Sequence, residues 1–167
     1  LQVPGRTEIG RVATAVSAHL ASIEAAVETG ADLLLTHHGL FWDFHPRALT
    51  EAMAERLRVA LRNGLNVAGY HLPLDGHPEI GNNALIVRQL GFEVAPDEIG
   101  EAKGRHIGAF GRRAEPIAAT DLFELVAGEL GRDPLVFAEG PEEVSSIGVV
   151  TGAGASDIHE AIALGLD

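Results

Sequence analysis

The chain has 167 residues, 46% of them hydrophobic, which allows one compact domain or two small lobes and argues against disorder. Its 24 acidic residues against 12 basic ones give a formal charge of −12; with no basic cluster beyond Arg112-Arg113, duplex nucleic-acid binding is not expected. The absence of cysteine excludes disulfides, thiolate metal sites and cysteine nucleophiles, and is compatible with a cytoplasmic protein.

No apolar run is long enough to span a bilayer and no secretory segment opens the chain, so no membrane partner is expected. Because the sequence starts at Leu1 rather than Met, it is expected to be a processed or partial stretch of a longer product. Residues 11–16 (RVATAV) read as a strand. Residues 20–29 read as a helix, with Leu20, Ile23 and Val27 on one face, and Gly30 closes it because glycine adopts the left-handed conformation without a Cβ clash. Residues 32–36 (DLLLT) are a second strand. Residues 48–63 form a strong helix stopped by Gly64, residues 65–70 a third strand, and residues 81–90 a helix ending at Gly91. This alternation predicts parallel strands joined by right-handed crossovers.

Residues 93–104, rich in Pro, Gly and charge, read as a linker. Beyond it come a strand at 106–110, a helix at 119–130, strands at 134–138 and 146–151, and a helix at 155–164. The fold class is therefore α/β, with two βαβ-type lobes and mostly parallel sheets. Residues 1–95 make the first lobe, and 104–167 the start of a second, truncated one. The two are candidates for an internal duplication. At a constant offset of 135 positions, Val12–Asp32 falls on Ile147–Asp167, with Ala18, Ile23, Ala26, Gly30 and Asp32 matched by identical residues.

The chemistry concentrates in "LLLTHHGLFWDFHP", residues 33–46. Two adjacent histidines, His37 and His38, end a buried strand. They either cap that strand on loop carbonyls or ligate metal. Neighbouring strand residues point to opposite faces, so as ligands they would hold different ions of a two-metal site. A second motif, "AGYHLPLDGHPEIGNN" (68–83), puts His71 at the end of the third strand and Asp75 four residues on. Sites in parallel sheets form outside the carboxyl ends of the strands. His37, His38, His71 and Asp75 are thus expected to converge, and such a donor set suits Zn, Fe, Mn, Co or Ni.

Other residues keep two readings. Phe41, Trp42 and Phe44 either wall a base-binding pocket or pack in the core or an interface. Asn82 and Asn83 either cap a helix or touch substrate. "TGAG" at 151–154 either cradles an anion or permits close packing. His45 reads as a loop residue, His77 as peripheral to the crevice, and His19, His106 and His159 as surface or structural groups.

"GADLLLTHHGLFW" followed by "YHLPLDGHPEIGNNALIVRQLGFE" resembles the NGG-interacting-factor-like family, also known as type 2 homologues of GTP cyclohydrolase I. "LQV-G" at Leu1–Gly5 and "VVTGAGASDIHEA" at 149–161 resemble it too, so the similarity covers nearly the whole chain. The resemblance implies two α/β lobes around a pair of divalent metal ions, in a homo-oligomer that is a toroidal hexamer built from dimers. It implies His37, His38 and Asp75 as ligands and His71 as a ligand or an orienting group. The family's remaining ligands, a His and a Glu four residues later, have no counterpart here; His159-Glu160 has the wrong spacing. Each ion would be under-coordinated in this stretch, which is expected to be part of a protein about half as long again. The implied function is metal-dependent hydrolysis of a small molecule, a cyclohydrolase reaction opening the imidazole ring of a purine nucleotide at C8. The alternative is a non-enzymatic metal-binding or regulatory ring-forming assembly protein.

Overall fold

The computed structural model describes residues 1–96 and 99–167, which fall into two compact units, Leu1–His71 and Leu72–Asp167. The division lies at His71/Leu72, ahead of the expected linker; Asp97 and Glu98 of that segment lie outside the described residues.

The first unit is the expected parallel lobe. Its elements are β1 (Val12–Ser17), α1 (Leu20–Glu28), β2 (Leu33–His38), α2 (Glu51–Arg62) and β3 (Asn66–Gly69). The sheet order is β1-β2-β3, with Val12 opposite Leu33, Ser17 opposite His38, and Thr36 opposite Gly69. β2 has both edges paired from Leu33 to Thr36, as suits its apolar start Leu33-Leu34-Leu35. Ile23 and Ala26 of α1 pack with Leu34, Leu65 and Val67 in the core. Each such large aliphatic side chain contributes about 1.5–3 kcal/mol on burial. α2 starts at Glu51, three residues later than its periodicity suggests, because Thr50 is the N-cap and accepts from the Met53 N–H.

The second unit contains a one-turn helix α3 (Leu72–Asp75), α4 (Asn82–Gln89), β4 (Glu93–Ala95), the short pair β5 (Glu101–Ala102) and β6 (Arg105–His106), β7 (Ala109–Ala118), α5 (Ala119–Leu130), β8 (Glu143–Val149), a 3-10 turn (Gly154–Asp157) and α6 (Ile158–Ala163). Its sheet, β4-β7-β8, is antiparallel throughout, which corrects the expectation of a second parallel lobe. Ala118 pairs with Glu143, so β8 begins where β7 ends. The segment 131–142 brings the chain back after α5, and no parallel crossover is made. The expected linker is partly sheet: Glu93–Ala95 pairs with Phe110–Arg112, and Lys103-Gly104, both at positive φ, turn the β5–β6 hairpin. The strand expected at 106–110 is split between β6 and the much longer β7.

The strand expected at 134–138 does not form. Pro134 lacks an N–H, Leu135 and Phe137 are 85% and 82% exposed, and no strand partner lies beside them among the described residues. Ala84, Val87, Phe92, Leu122 and Val144 make the core of this unit. No described helix is long and apolar enough to cross a membrane.

The repeat seen in sequence recurs in the hydrogen bonds at the same spacing. Asp32 Oδ2 accepts from the N–H groups of Gly10 and Arg11, both at 3.0 Å. Asp167 Oδ2 accepts from those of Ser145 at 2.8 Å and Ser146 at 2.9 Å. Gly30 and Gly165, each two residues before the aspartate, sit at φ 69° and 68°. Both carboxyls are held below the usual 3.8, Asp32 first by the Arg11 N–H and then by that of Gly10, Asp167 first by the Ser145 hydroxyl and then by its N–H. A depressed folded pKa gives stability that is present above the unfolded value and lost as pH falls. The urea midpoint should therefore decline between about pH 5 and pH 3, and Asp32→Asn should flatten that decline. An unchanged slope in the variant would contradict this assignment.

Candidate metal centre

The parallel register places three strand ends at one edge of the first sheet. β1 ends at Ser17, β2 at His37-His38, and β3 runs through Gly69 to Tyr70 and His71. His37 and His38 ring centroids are 4.6 Å apart, His37 and His71 4.8 Å, and His38 and His71 5.4 Å. One nitrogen of each ring lies within 4.8 Å of the others. Nitrogens sharing one tetrahedral zinc at 2.0–2.1 Å are roughly 3.3 Å apart, so modest side-chain rotation closes the group on an ion. Three imidazoles are a donor set that Zn, Fe, Co and Ni accept. At the strand end the two neighbouring rings meet as one group with His71.

Hydrogen bonds aim the rings. Nδ1 of His37 lies 3.1 Å from the Tyr70 carbonyl oxygen. A carbonyl only accepts, so Nδ1 carries the proton and Nε2 presents its lone pair. Nδ1 of His38 lies 3.1 Å from Ser17 Oγ.

An aromatic wall stands beside the imidazoles. The Trp42 centroid is 4.9 Å from that of His71 and 5.9 Å from that of His38, and Trp42 stacks on Phe44 at 5.7 Å. Phe44 is 78% exposed and Phe41 44%, so this wall is not core. His45 meets the edge of Phe44 at 4.9 Å. The loop carrying the wall is clamped by Gln2, whose Oε1 accepts from the Leu40 N–H at 2.5 Å and whose Nε2 donates to the Phe41 carbonyl at 2.9 Å. Gly39 leaves room for this clamp: a Cβ would fall 2.2 Å from Gln2 Oε1, so the Gln2 side chain would have to shift. Trp42 Nε1 donates to the Gly39 carbonyl at 3.2 Å.

Asp75 belongs to the second unit and is 4% exposed. Its Oδ1 accepts from Asn82 Nδ2 at 2.8 Å and from Thr151 Oγ1 at 3.3 Å. Asn83 Nδ2 donates to the carbonyls of Asp75 at 3.2 Å and Ile107 at 2.6 Å, and its Oδ1 accepts from the Thr151 N–H at 2.7 Å. Neither asparagine caps α4; Gly81 stands at that N-cap. Both instead hold the Asp75 turn, and Thr151 of the "TGAG" turn does the same. His77 Nδ1 accepts from the Glu79 and Ile80 N–H groups, a turn-stabilising role. His106 lies 3.8 Å from Glu160, while His19 and His159 are exposed. Sequence reasoning missed Gln2 and Ser17, whose partners lie far along the chain.

Known proteins resemble the chain over its whole length. A family model described as Duf34/NIF3 (NGG1p interacting factor 3) matches residues 1–167. Proteins named GTP cyclohydrolase 1 type 2 homolog are similar over the whole chain: that of Deinococcus radiodurans is 41% identical and that of Pseudomonas aeruginosa 42%. The chain spans 63% and 66% of their lengths. The solved ybgI protein, described as of unknown function, superposes with a TM-score of 0.89 at 36% identity, covering 100% of this chain and 66% of that one. Reduced HcgD from Methanocaldococcus jannaschii, 22% identical with a TM-score of 0.78, covers 96% of this chain and 63% of its own, and shares the fold.

Trp42 is the one tryptophan in the chain. Titration with Co(II) should quench its fluorescence saturably, and His71→Ala should weaken that quenching at least roughly tenfold. Equal quenching in the variant would place the ion elsewhere.

Proposed function

The chain belongs to the Duf34/NIF3 family, and we propose that it forms the metal-binding part of a divalent-metal-dependent hydrolase of the GTP cyclohydrolase type 2 kind, acting on a purine nucleotide. The observation that carries the reading is the gathering of His37, His38 and His71 at the carboxyl edge of a parallel sheet. A divalent ion supplies Lewis-acid activation of water near neutral pH. His37 contributes Nε2, since its Nδ1 proton is committed to the Tyr70 carbonyl.

The resemblance adds Asp75 as a carboxylate ligand and a second ion to the same proposal. Asn82 and Thr151 hold the Asp75 carboxyl in a fixed orientation, as a ligand requires. Trp42 and the exposed Phe44 offer a flat apolar face on which a purine base stacks. Net charge disfavours a nucleic-acid substrate, which leaves the free nucleotide. The homo-oligomeric ring implied by the resemblance is part of the same reading.

The full-length protein, loaded in turn with Zn, Mn, Co, Ni and Fe(II), should open the imidazole ring of GTP with at least one of them and stop on chelation. Asp75→Asn should lower the rate by roughly tenfold or more. Retained metal binding with no turnover of any purine nucleotide would overturn the hydrolase reading and favour the non-enzymatic metal-binding assembly.

A further inference from the structure

We propose that Ser17 is a positioning residue of the metal centre: its hydroxyl accepts from Nδ1 of His38 and thereby turns the Nε2 lone pair of that ring to the ion. The inference rests on the metal-binding reading above and goes beyond it by assigning a role to a residue on a different strand from the histidines.

Three observations carry it. The first is geometric. Ser17 Oγ lies 3.1 Å from His38 Nδ1, and the two residues are register partners at the carboxyl ends of β1 and β2. The Ala18 N–H donates to the His38 carbonyl at 2.9 Å, so the backbones that carry the two side chains are fixed against each other. Strand pairing brings the two side chains within reach of each other.

The second is the residue type. Ala13, Ala15 and Ser17 occupy the half-buried face of β1, and the two alanines pack against the core. At the third position the same face carries a hydroxyl. Ser17 does not serve as a helix cap here: the N-cap of α1 is His19. The hydroxyl has His38 as its side-chain partner.

The third is the contrast with His37. Its Nδ1 faces the Tyr70 carbonyl, an obligate acceptor, which places the proton on Nδ1. His38 faces a hydroxyl, which can donate or accept. An ion on Nε2 requires the proton on Nδ1, and a hydroxyl can accept it. Ser17 therefore satisfies the Nδ1–H that ligation creates and holds the ring in the plane that ligation needs. Replacing it by alanine leaves that N–H without its partner and the ring without its restraint.

The test uses the chain as it stands, with Zn(II) affinity measured by chelator competition and the imidazole tautomer read from long-range 1H–15N correlations. His38→Ala reports on the metal site itself and should abolish or greatly weaken binding. Ser17→Ala should weaken Zn(II) binding by roughly 10–100-fold with little change in thermal stability, and Ser17→Thr, which keeps the hydroxyl, should restore it. In the Zn(II)-loaded wild type, the His38 proton should reside on Nδ1 and the ion on Nε2. Wild-type affinity in Ser17→Ala, with His38→Ala impaired, would overturn the role of Ser17 and leave the metal centre standing. So would a His38 proton on Nε2 in the Zn(II)-loaded wild type. Wild-type affinity in His38→Ala would overturn the metal reading and the Ser17 role together.

Discussion

The pairing of β2 with a parallel strand on each side is the constraint on which the site depends. Ser17 opposite His38 and Thr36 opposite Gly69 bring the ends of three strands level, so that side chains distant in sequence meet at one edge. β2 is paired on both sides from Leu33 to Thr36, and Leu34 anchors it in the core. The free energy of that burial fixes the strand. The strand then carries two imidazoles to a place where they gain little from packing. Tyr70 and Ser17 supply what packing does not, by holding the ring nitrogens through hydrogen bonds. A one-residue slip of β2 would exchange the buried and exposed faces and remove both contacts.

The first unit was legible because its sequence pattern and its topology coincide. Apolar runs alternate with amphipathic segments, and each helix ends at a glycine with positive φ, as at Gly30 and Gly64. The HH pair and His71 could be placed at one edge because parallel strands all end on the same side. In the second unit the pattern marks which residues are buried and says nothing of which strand pairs with which. Leu135-Val136-Phe137 has the composition of a strand, yet composition supplies no neighbour, and the segment stays exposed. β4 was hidden inside a Pro- and Gly-rich stretch because its pairing partner, β7, lies beyond a hairpin. Gln2 and Ser17 were illegible for a related reason. Their hydrogen bonds reach 38 and 21 positions along the chain, farther than any local pattern extends. Asn82 and Asn83 had the right residue type for a cap, but the Asp75 turn claims their side chains.

The spacing shared by Asp32 and Asp167 shows a local device used twice. In each copy a left-handed glycine closes a helix, and the aspartate two residues later accepts from two consecutive backbone N–H groups. In the first copy the clamp stands immediately before β2, and so fixes the entry to the strand that carries the histidines. The acidic composition that argued against nucleic acid thus includes carboxylates with defined structural work.

The central claim is that His37, His38 and His71 hold a divalent ion. The most direct measurement is an anomalous difference map, collected at the metal absorption edge from crystals grown with Co(II) or Zn(II). The account predicts a peak about 2.0–2.1 Å from one nitrogen of each of the three rings. A fully loaded crystal with no peak at these histidines, or with metal bound only elsewhere, would contradict it.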